Sequence, residues 1–443
     1  MDNIKMNKLI VPVFIELTLQ MFVGNVDQLM LSQYSDTAVS AVGNANMIMS
    51  VVILVFNVIS TATSILVSQS IGANDMKRVG SIYTLAVFVN GILGMVFMGI
   101  IYVTIRPIYS LMQVPTELIG DAVVYIQIVA LSIPIQALIA TFSAIFRSNA
   151  LMKTTMKISL VYNIINIIGN QILIKGLGDI PAMGTAGVAI STVVSRLVGL
   201  VIMMGIFKKV VTNAEIDFKL LKPFPKDILR DMLKIGIPTG GENFSWNLAQ
   251  LVSLGIINTF GTASITARTY VNMVANLCYL YAASCGQAVQ VVVGYHTGAQ
   301  NFDEADRVTT KAIKSAAISS VAVAIALWLL SKPLYGMLTK DAEIIKMATA
   351  IAFVEIFLEC GRAYNIIYIR AMQSAGDVIF PIVLGIAAEW IVSVGVGYLF
   401  GVTFGMGLTG VWIGFAADEC IRAVICHIRW KKGTWRKFAL AKK

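Results

Sequence analysis

Charge is the scarcest commodity in this sequence: Asp, Glu, Lys and Arg together make up 13% of its 443 residues, against 57% hydrophobic. Soluble globular chains carry nearer ~25% charge. So few charges cannot clothe a water-facing surface, so lipid must cover much of the outside. Histidine is almost missing. His296 and His427 stand near predicted helix ends without a second His or Cys at ligand spacing, so no metal site is expected. The five cysteines, Cys278, Cys285, Cys360, Cys420 and Cys426, form no CxxC pair and are odd in number. That argues against a disulfide framework or a zinc site and for small packing residues. No phosphate loop or nucleophile elbow is present, so nothing points to an enzyme, a nucleotide or another cofactor.

What is present is a series of apolar runs, each long enough to cross a hydrocarbon core of ~30 Å. They lie near 9–32, 44–69, 80–105, 122–146, 158–174, 184–207, 235–259, 270–294, 313–331, 345–369, 378–400 and 408–428. The expected fold is all-α and polytopic, with twelve transmembrane helices in two six-helix bundles. The first run reaches spanning length without a cleavage site behind a short apolar core, so it is expected to stay as a helix rather than leave as a signal peptide. The net charge of +10 is distributed by topology. Lys5, Lys8, Arg147, Lys153, Lys208, Lys209 and the tail from Arg429 to Lys442 and Lys443 fall on one side; Arg106, Lys175, Lys332, Lys340 and Lys346 fall on the other. This positive-inside bias puts both termini in the cytoplasm of a cell-membrane protein and leaves no call for nucleic acid as a partner. The basic tail becomes a topology signal that can also meet anionic lipid.

Phe207 to Lys234 is the one long polar stretch, and it divides the chain nearly in half. The expected organisation is an N-terminal lobe over 1–210, a cytoplasmic linker over 211–232 and a C-terminal lobe over 233–443. The halves repeat. An ungapped offset of 226 pairs Pro12 with Pro238, Glu16 with Glu242, Asn46 with Asn272, and Gly72-Ala73 with Gly298-Ala299. It goes on to pair Pro107 with Pro333, Tyr109 with Tyr335, and Ser148 with Ser374. One register held that far points to duplication. Six spans per copy insert both copies the same way, an arrangement of secondary transporters with the substrate path between halves. Both glycine pairs are expected to cap the helices they end.

Polar groups inside the spans are costly and mark function when they face the bundle interior. The first span carries Glu16, Gln20, Gly24 and Asp27 on one stripe, repeated in the second half by Glu242, Trp246, Gln250 and Ser253. The second span has Asn46, Ser50, Asn57 and Thr61, and its repeat has Asn272, Asn276 and Tyr279. The fifth has Asn163, Asn166 and Asn170 at i, i+3 and i+7. Such stripes either glue helices together or line water. Asp27 stands apart, because a lone carboxylate in a span escapes its desolvation cost by binding a proton or a cation. The tenth span offers Glu355, Glu359 and Arg362 on one face: Arg362 neutralises one acid and leaves one to titrate. Glu389, at the repeat position of Asn163, is a further candidate.

Ile10-Val-Pro-Val-Phe-Ile-Glu-Leu17, Asn25-Val-Asp27, Ala41-Val-Gly-Asn-Ala45, Val67-Ser-Gln-Ser-Ile-Gly-Ala73, Ile235-Gly-Ile-Pro238 and Met372-Gln-Ser-Ala-Gly-Asp377 stand in an order that resembles the multidrug and toxic-compound extrusion (MATE) transporters. The likeness extends over essentially the whole chain. It implies proton- or sodium-coupled antiport of bulky, often cationic organic compounds by two lobes that alternate access. It further implies an ion site at Asp27, Asn166 and Thr192, with Asn170 where many relatives carry an aspartate. In relatives that use the other lobe, a helix 7 glutamate and a helix 10 acid bind the cation, which Glu242 and Glu355 or Glu359 would supply. The stripe residues Gln20, Asn46, Asn57, Asn163, Trp246, Gln250, Asn272, Asn276 and Tyr279 become the expected substrate contacts, with aromatic faces available to cations. The protein is thus expected to be no enzyme. It should use no cofactor beyond a coupling proton or sodium ion, and act as a monomer on small organic substrates among membrane lipid. The alternative on the same fold is a flippase for lipid-linked saccharides or other amphiphiles.

Overall fold

A computed structural model describes residues 6–178 and 181–439, apart from the Leu277 side chain. Lys5, Lys442 and Lys443 lie outside the described residues. Among the described residues every element is helical, and apart from the short helices Phe218–Leu221, Ser331–Leu338 and Thr434–Phe438 the helices group into twelve rods. They are α1 (Asn7–Ser32), α2 (Asp36–Gly72), α3 (Met76–Leu111), α4 (Thr116–Ala130 and Ile133–Ser148), α5 (Met152–Lys175) and α6 (Gly184–Val210). The second set is α7 (Lys226–Asn258), α8 (Thr262–Gly298), α9 (Phe302–Leu329), α10 (Ala342–Ser374), α11 (Ile379–Thr403) and α12 (Gly407–Lys431). Seven are by themselves long and apolar enough to cross a membrane, and α4 and α8 qualify as rods bent by 48° and 42°. The other three, α7, α10 and α12, contain Glu242, the Glu355–Arg362 group and the Asp418–Arg422 group. In this half of the chain the spans trade apolarity for buried charge.

The repeat is visible in helix ends. α2 and α8, α3 and α9, and the whole of α4 and α10 begin 226 positions apart, and α2 and α8 are each 37 residues long. The turns between them repeat as well. Asn74 and Gln300 share φ 59°, and Asp75 and Asn301 each cap the next helix by accepting from the backbone three residues on. The expected glycine caps are corrected by this geometry: the left-handed residues are Asn74 and Gln300, and Gly72 instead lets its backbone press against the Tyr295 carbonyl, where a Cβ has no room. One difference between the copies has a plain cause. α4 breaks after Ala130, where Pro134 opens the second piece, whereas its repeat α10 has Cys360 there and runs unbroken.

The chain divides into two compact units. One comprises Ile15–Ile71 and Asp75–Gly236; the other comprises Met1–Phe14, Gly72–Asn74 and Ile237–Lys443. The polar stretch between the halves is folded onto the first unit. Asn213 donates to Asn149 (2.8 Å), the Asp217 N–H donates to Thr84 (3.1 Å), and Arg78 pairs with Asp231 (2.9 Å). A core of the first unit runs from Leu31 and Ala38 through Tyr109 and Ile126 to Ala189. A core of the second joins Ile257, Val271, Tyr335, Ile351 and Trp412. Within the second unit α11 and α12 meet backbone to backbone. A Cβ on Gly414 would lie 2.5 Å from the Gly397 nitrogen, and one on Gly410 2.5 Å from that of Gly401. Small residues four apart permit such approach between spans. From Glu389 onward α11 is wound as π-helix over Glu389–Val396 and Leu399–Thr403, a winding frequent at functional positions.

The polar sites inside the two units

In the first unit α1, α5 and α6 bring four of the expected ion residues together. The Asn170 amide donates to the Asp27 carboxylate at 2.7 Å. One turn earlier on α5, Asn166 reaches the Ser191 and Thr192 hydroxyls, each at 3.4 Å, and Ser191 donates back to the Asn166 carbonyl at 2.8 Å. α5 and α6 can approach this closely because Gly169 faces Ser191 and Gly187 faces the Leu173 carbonyl, where a Cβ would sit 2.5 Å away. Asn170 is fully buried, and its Oδ1 has no hydrogen-bond partner among the described residues. A buried amide oxygen left over beside a carboxylate is an acceptor awaiting a proton donor or a cation. The Arg196 guanidinium acts electrostatically on Asp27, Tyr125 and Tyr162, while its hydrogen bond goes to the neutral Ser132 hydroxyl at 2.8 Å. Deeper in the unit, fully buried Asn90 donates to Thr141 (2.7 Å) and Ser60 (3.4 Å) and ties α2, α3 and α4.

The second unit pairs charge with charge. Glu355 accepts from the Trp412 indole at 2.7 Å and lies 3.8 Å from Arg362. Glu359, fully buried, is bonded directly to Arg362. Arg362 also meets Glu419 on α12 (3.6 Å), which takes a 2.7 Å bond from Asn365 and lies 3.4 Å from Arg422. Arg422 in turn holds Asp418 at 2.5 Å. Glu242, expected with Glu355 and Glu359, is not in that cluster; its carboxyl lies against Gly385 on α11 and acts electrostatically with Arg370 and Arg422. Glu389 accepts from Ser245 at 3.2 Å, and Ser245 accepts from the Trp390 indole at 3.1 Å. Sequence reasoning missed Asp418, Glu419 and Trp412. Asp418 and Arg422 at i, i+4 in an apolar span were the available signal.

The expected substrate residues are mostly exposed. Gln20, Asn46, Asn57, Trp246, Asn272, Asn276 and Tyr279 lie at the surface of their units, with Trp246 49% and Tyr279 44% accessible. Asn163 and Gln250 are half-buried, Asn163 donating to Ser159 at 3.3 Å. Tyr125 donates to Asn46 at 3.4 Å, and the Arg362 guanidinium stands 6.0 Å from the Tyr279 ring centre.

The model of the MatE family matches this chain twice, over residues 12–172 and 238–399, so its two copies open on the prolines that begin the internal repeat. The chain belongs to the MATE family of transporters. Like other MATE proteins it is a multi-pass membrane transporter and not an enzyme. The uncharacterized transporter YisQ of Bacillus subtilis is 35% identical over 432 residues, covering 97% of this chain and 94% of YisQ. The probable multidrug resistance protein NorM of Thermotoga maritima is 27% identical, covering 98% of this chain and 93% of NorM. Among solved structures, an outward-facing multidrug resistance MATE transporter superposes with a TM-score of 0.88 at 21% identity, over 98% of this chain and 96% of that one. A transporter of the same superfamily from Pyrococcus furiosus, described by the reversed polarity of its binding pocket, gives 0.88 at 21% identity, over 99% and 96%. These two likenesses bear on the fold.

Proposed function

We propose that this MATE protein is a secondary antiporter that exports organic, cationic or amphiphilic compounds from the cell in exchange for a proton or a sodium ion. Asp27 binds that ion with the help of Asn170, Asn166 and Thr192. The supporting observation is the 2.7 Å bond from a neutral amide to a carboxylate that no basic side chain among the described residues bonds directly. Such a carboxylate gains or loses its charge without stranding a hydrogen-bonded cation, and the spare Asn170 oxygen offers a ligand to whichever ion neutralises it. NorM relatives named for multidrug resistance support organic drugs as the cargo class. Gln20, Asn46, Asn57, Trp246, Asn272, Asn276 and Tyr279 supply the substrate surface, since exposed amides on a span need water or ligand where lipid offers no hydrogen bonds. The protein works as a monomer in the cell membrane with both termini cytoplasmic, as its basic loops and tail require.

The flippase reading needs free cationic groups for a phosphorylated lipid. Of Arg196, Arg268, Arg362 and Arg422, the last two are held by acids and Arg196 by Ser132 and the field of Asp27. Arg268, whose buried Nε has no hydrogen-bond partner among the described residues, is one cation where several are needed, which favours the antiporter. The test is efflux of a fluorescent organic cation from proteoliposomes under an imposed proton or sodium gradient. Wild-type protein is expected to empty the vesicles under one of the gradients and Asp27→Asn under neither. Full efflux by the variant contradicts the site, and no efflux by wild type under either gradient contradicts the antiporter.

A further inference from the structure

The first unit contains a second buried carboxylate that the account above leaves idle. Glu16 is 4% exposed, one turn beyond Pro12 on α1. Among the described residues it forms an ion pair with Arg147 at the end of α4, at 3.9 Å, too long for a hydrogen bond. Its Oε2 is buried and has no hydrogen-bond partner among the described residues. A permanent structural ion pair in so dry a place would be closely bonded, as Arg362 is to Glu359 and Arg422 to Asp418. Glu16 is not.

Two further features give it a role. The sequence carries Asn170 in place of a second acid beside Asp27, so that site holds a single carboxylate. Eleven residues separate Glu16 from Asp27 on one stripe of α1, about 16 Å along the axis, too far to share one ion. The gap is bridged from the other helices. Tyr162 on α5 is within the electrostatic reach of Glu16, Arg147 and Arg196, and Arg196 acts on Asp27. Tyr162 accepts from Ser159 at 3.2 Å and fills the notch left by Gly199 on α6, where a Cβ would lie 2.8 Å from its ring.

We propose that Glu16 is a second proton-binding carboxylate of the N-terminal unit, exchanging a proton with water on the side of the chain termini while Asp27 serves the deeper site. The proton binds at Oε2 and leaves to water from the same oxygen, and Arg147 steadies the anion between the two events. A metal ion is disfavoured there, since it needs several oxygens and Arg147 repels it. The inference rests on the antiporter reading.

The experiment is proton-driven efflux of a fluorescent organic cation, recorded against pH, for wild type, Glu16→Gln, Glu16→Asp, Glu16→Gln/Arg147→Gln and Asp27→Asn. Glu16→Gln is expected to slow efflux about a hundredfold, the lower end of what a positioned proton carrier contributes. Glu16→Asp should keep turnover with a displaced pH profile, and the double variant should stay slow. A double variant restored to wild-type rates would make Glu16 and Arg147 a structural pair and overturn the proposal. So would a Glu16→Gln profile matching wild type. Should Glu16→Gln fail to fold, the Glu16→Asp profile decides: unshifted, it contradicts the proposal. Efflux that survives Asp27→Asn removes the Asp27 site, and absence of gradient-driven efflux in wild type removes the antiporter reading itself, whatever Glu16 does.

Discussion

The two units treat buried charge in opposite ways. In the first, Asp27 is held by an amide and Arg196 by a hydroxyl, so these two charged groups bond neutral partners, and buried Glu16 stands 3.9 Å from Arg147. In the second, Glu355, Glu359 and Glu419 surround Arg362, while Asp418 and Glu419 hold Arg422. A carboxylate bonded to a neutral group changes protonation at the cost of one hydrogen bond. A carboxylate locked to a guanidinium in a dry interior does so only by leaving the cation unpaired. On the antiporter reading proposed above, exchange falls to Asp27 in the first unit and rigidity to the acids around Arg362 and Arg422 in the second, where Glu389 alone of the acids named accepts from a neutral hydroxyl, that of Ser245.

The contrast is broken most severely at Arg362. Arg362→Ala leaves three carboxylates without their shared cation and is expected to cost about 3–5 kcal/mol, read as loss of folded protein in a detergent melt. Retention of the wild-type melting temperature would show that the cluster is not structural. Next comes the α11–α12 contact. Gly414→Ala places a Cβ on the Gly397 backbone and should cost about 1–3 kcal/mol, whereas Gly24→Ala, with nothing within 4 Å, should be neutral or slightly stabilising. Equal melts for the two would refute the close packing. The smallest effect is expected at the exchange site. Asp27→Asn keeps an acceptor for Asn170 and should shift stability by about 1 kcal/mol or less, so that its transport defect is not a folding defect.

Much of this was legible in the residues. The offset of 226 anticipated that α2 and α8, α3 and α9, and α4 and α10 would start in register, because duplicated sequence keeps its caps and turns. Asp27 and Asn166 were traceable because a carboxylate or amide in an apolar span has few ordinary reasons to be there, and Thr192 only through the family resemblance. What escaped was tertiary. The partnership of Glu419 with Arg362 joins helices 57 positions apart in the chain, and nothing local to Glu419 distinguishes it from a surface acid. Asn90 looked like any asparagine until Ser60 and Thr141 closed on it from other helices. Glu242 shared the pattern of a helix 7 ion ligand, and only the tertiary structure showed its carboxyl against Gly385 and in the field of Arg422. The polar linker advertised a tether, but its contacts with Thr84 and Asn149 fold it onto the first unit.

The central claim is that coupling resides with the amide-held carboxylate and not with the arginine-held ones. It is tested most directly by comparing Asp27→Asn with Glu359→Gln in the same proteoliposome assay, under proton and sodium gradients in turn and at matched reconstituted protein. The account predicts that Asp27→Asn abolishes gradient-driven efflux while Glu359→Gln transports whenever it folds. Coupled efflux that survives in Asp27→Asn and disappears in folded Glu359→Gln would contradict it.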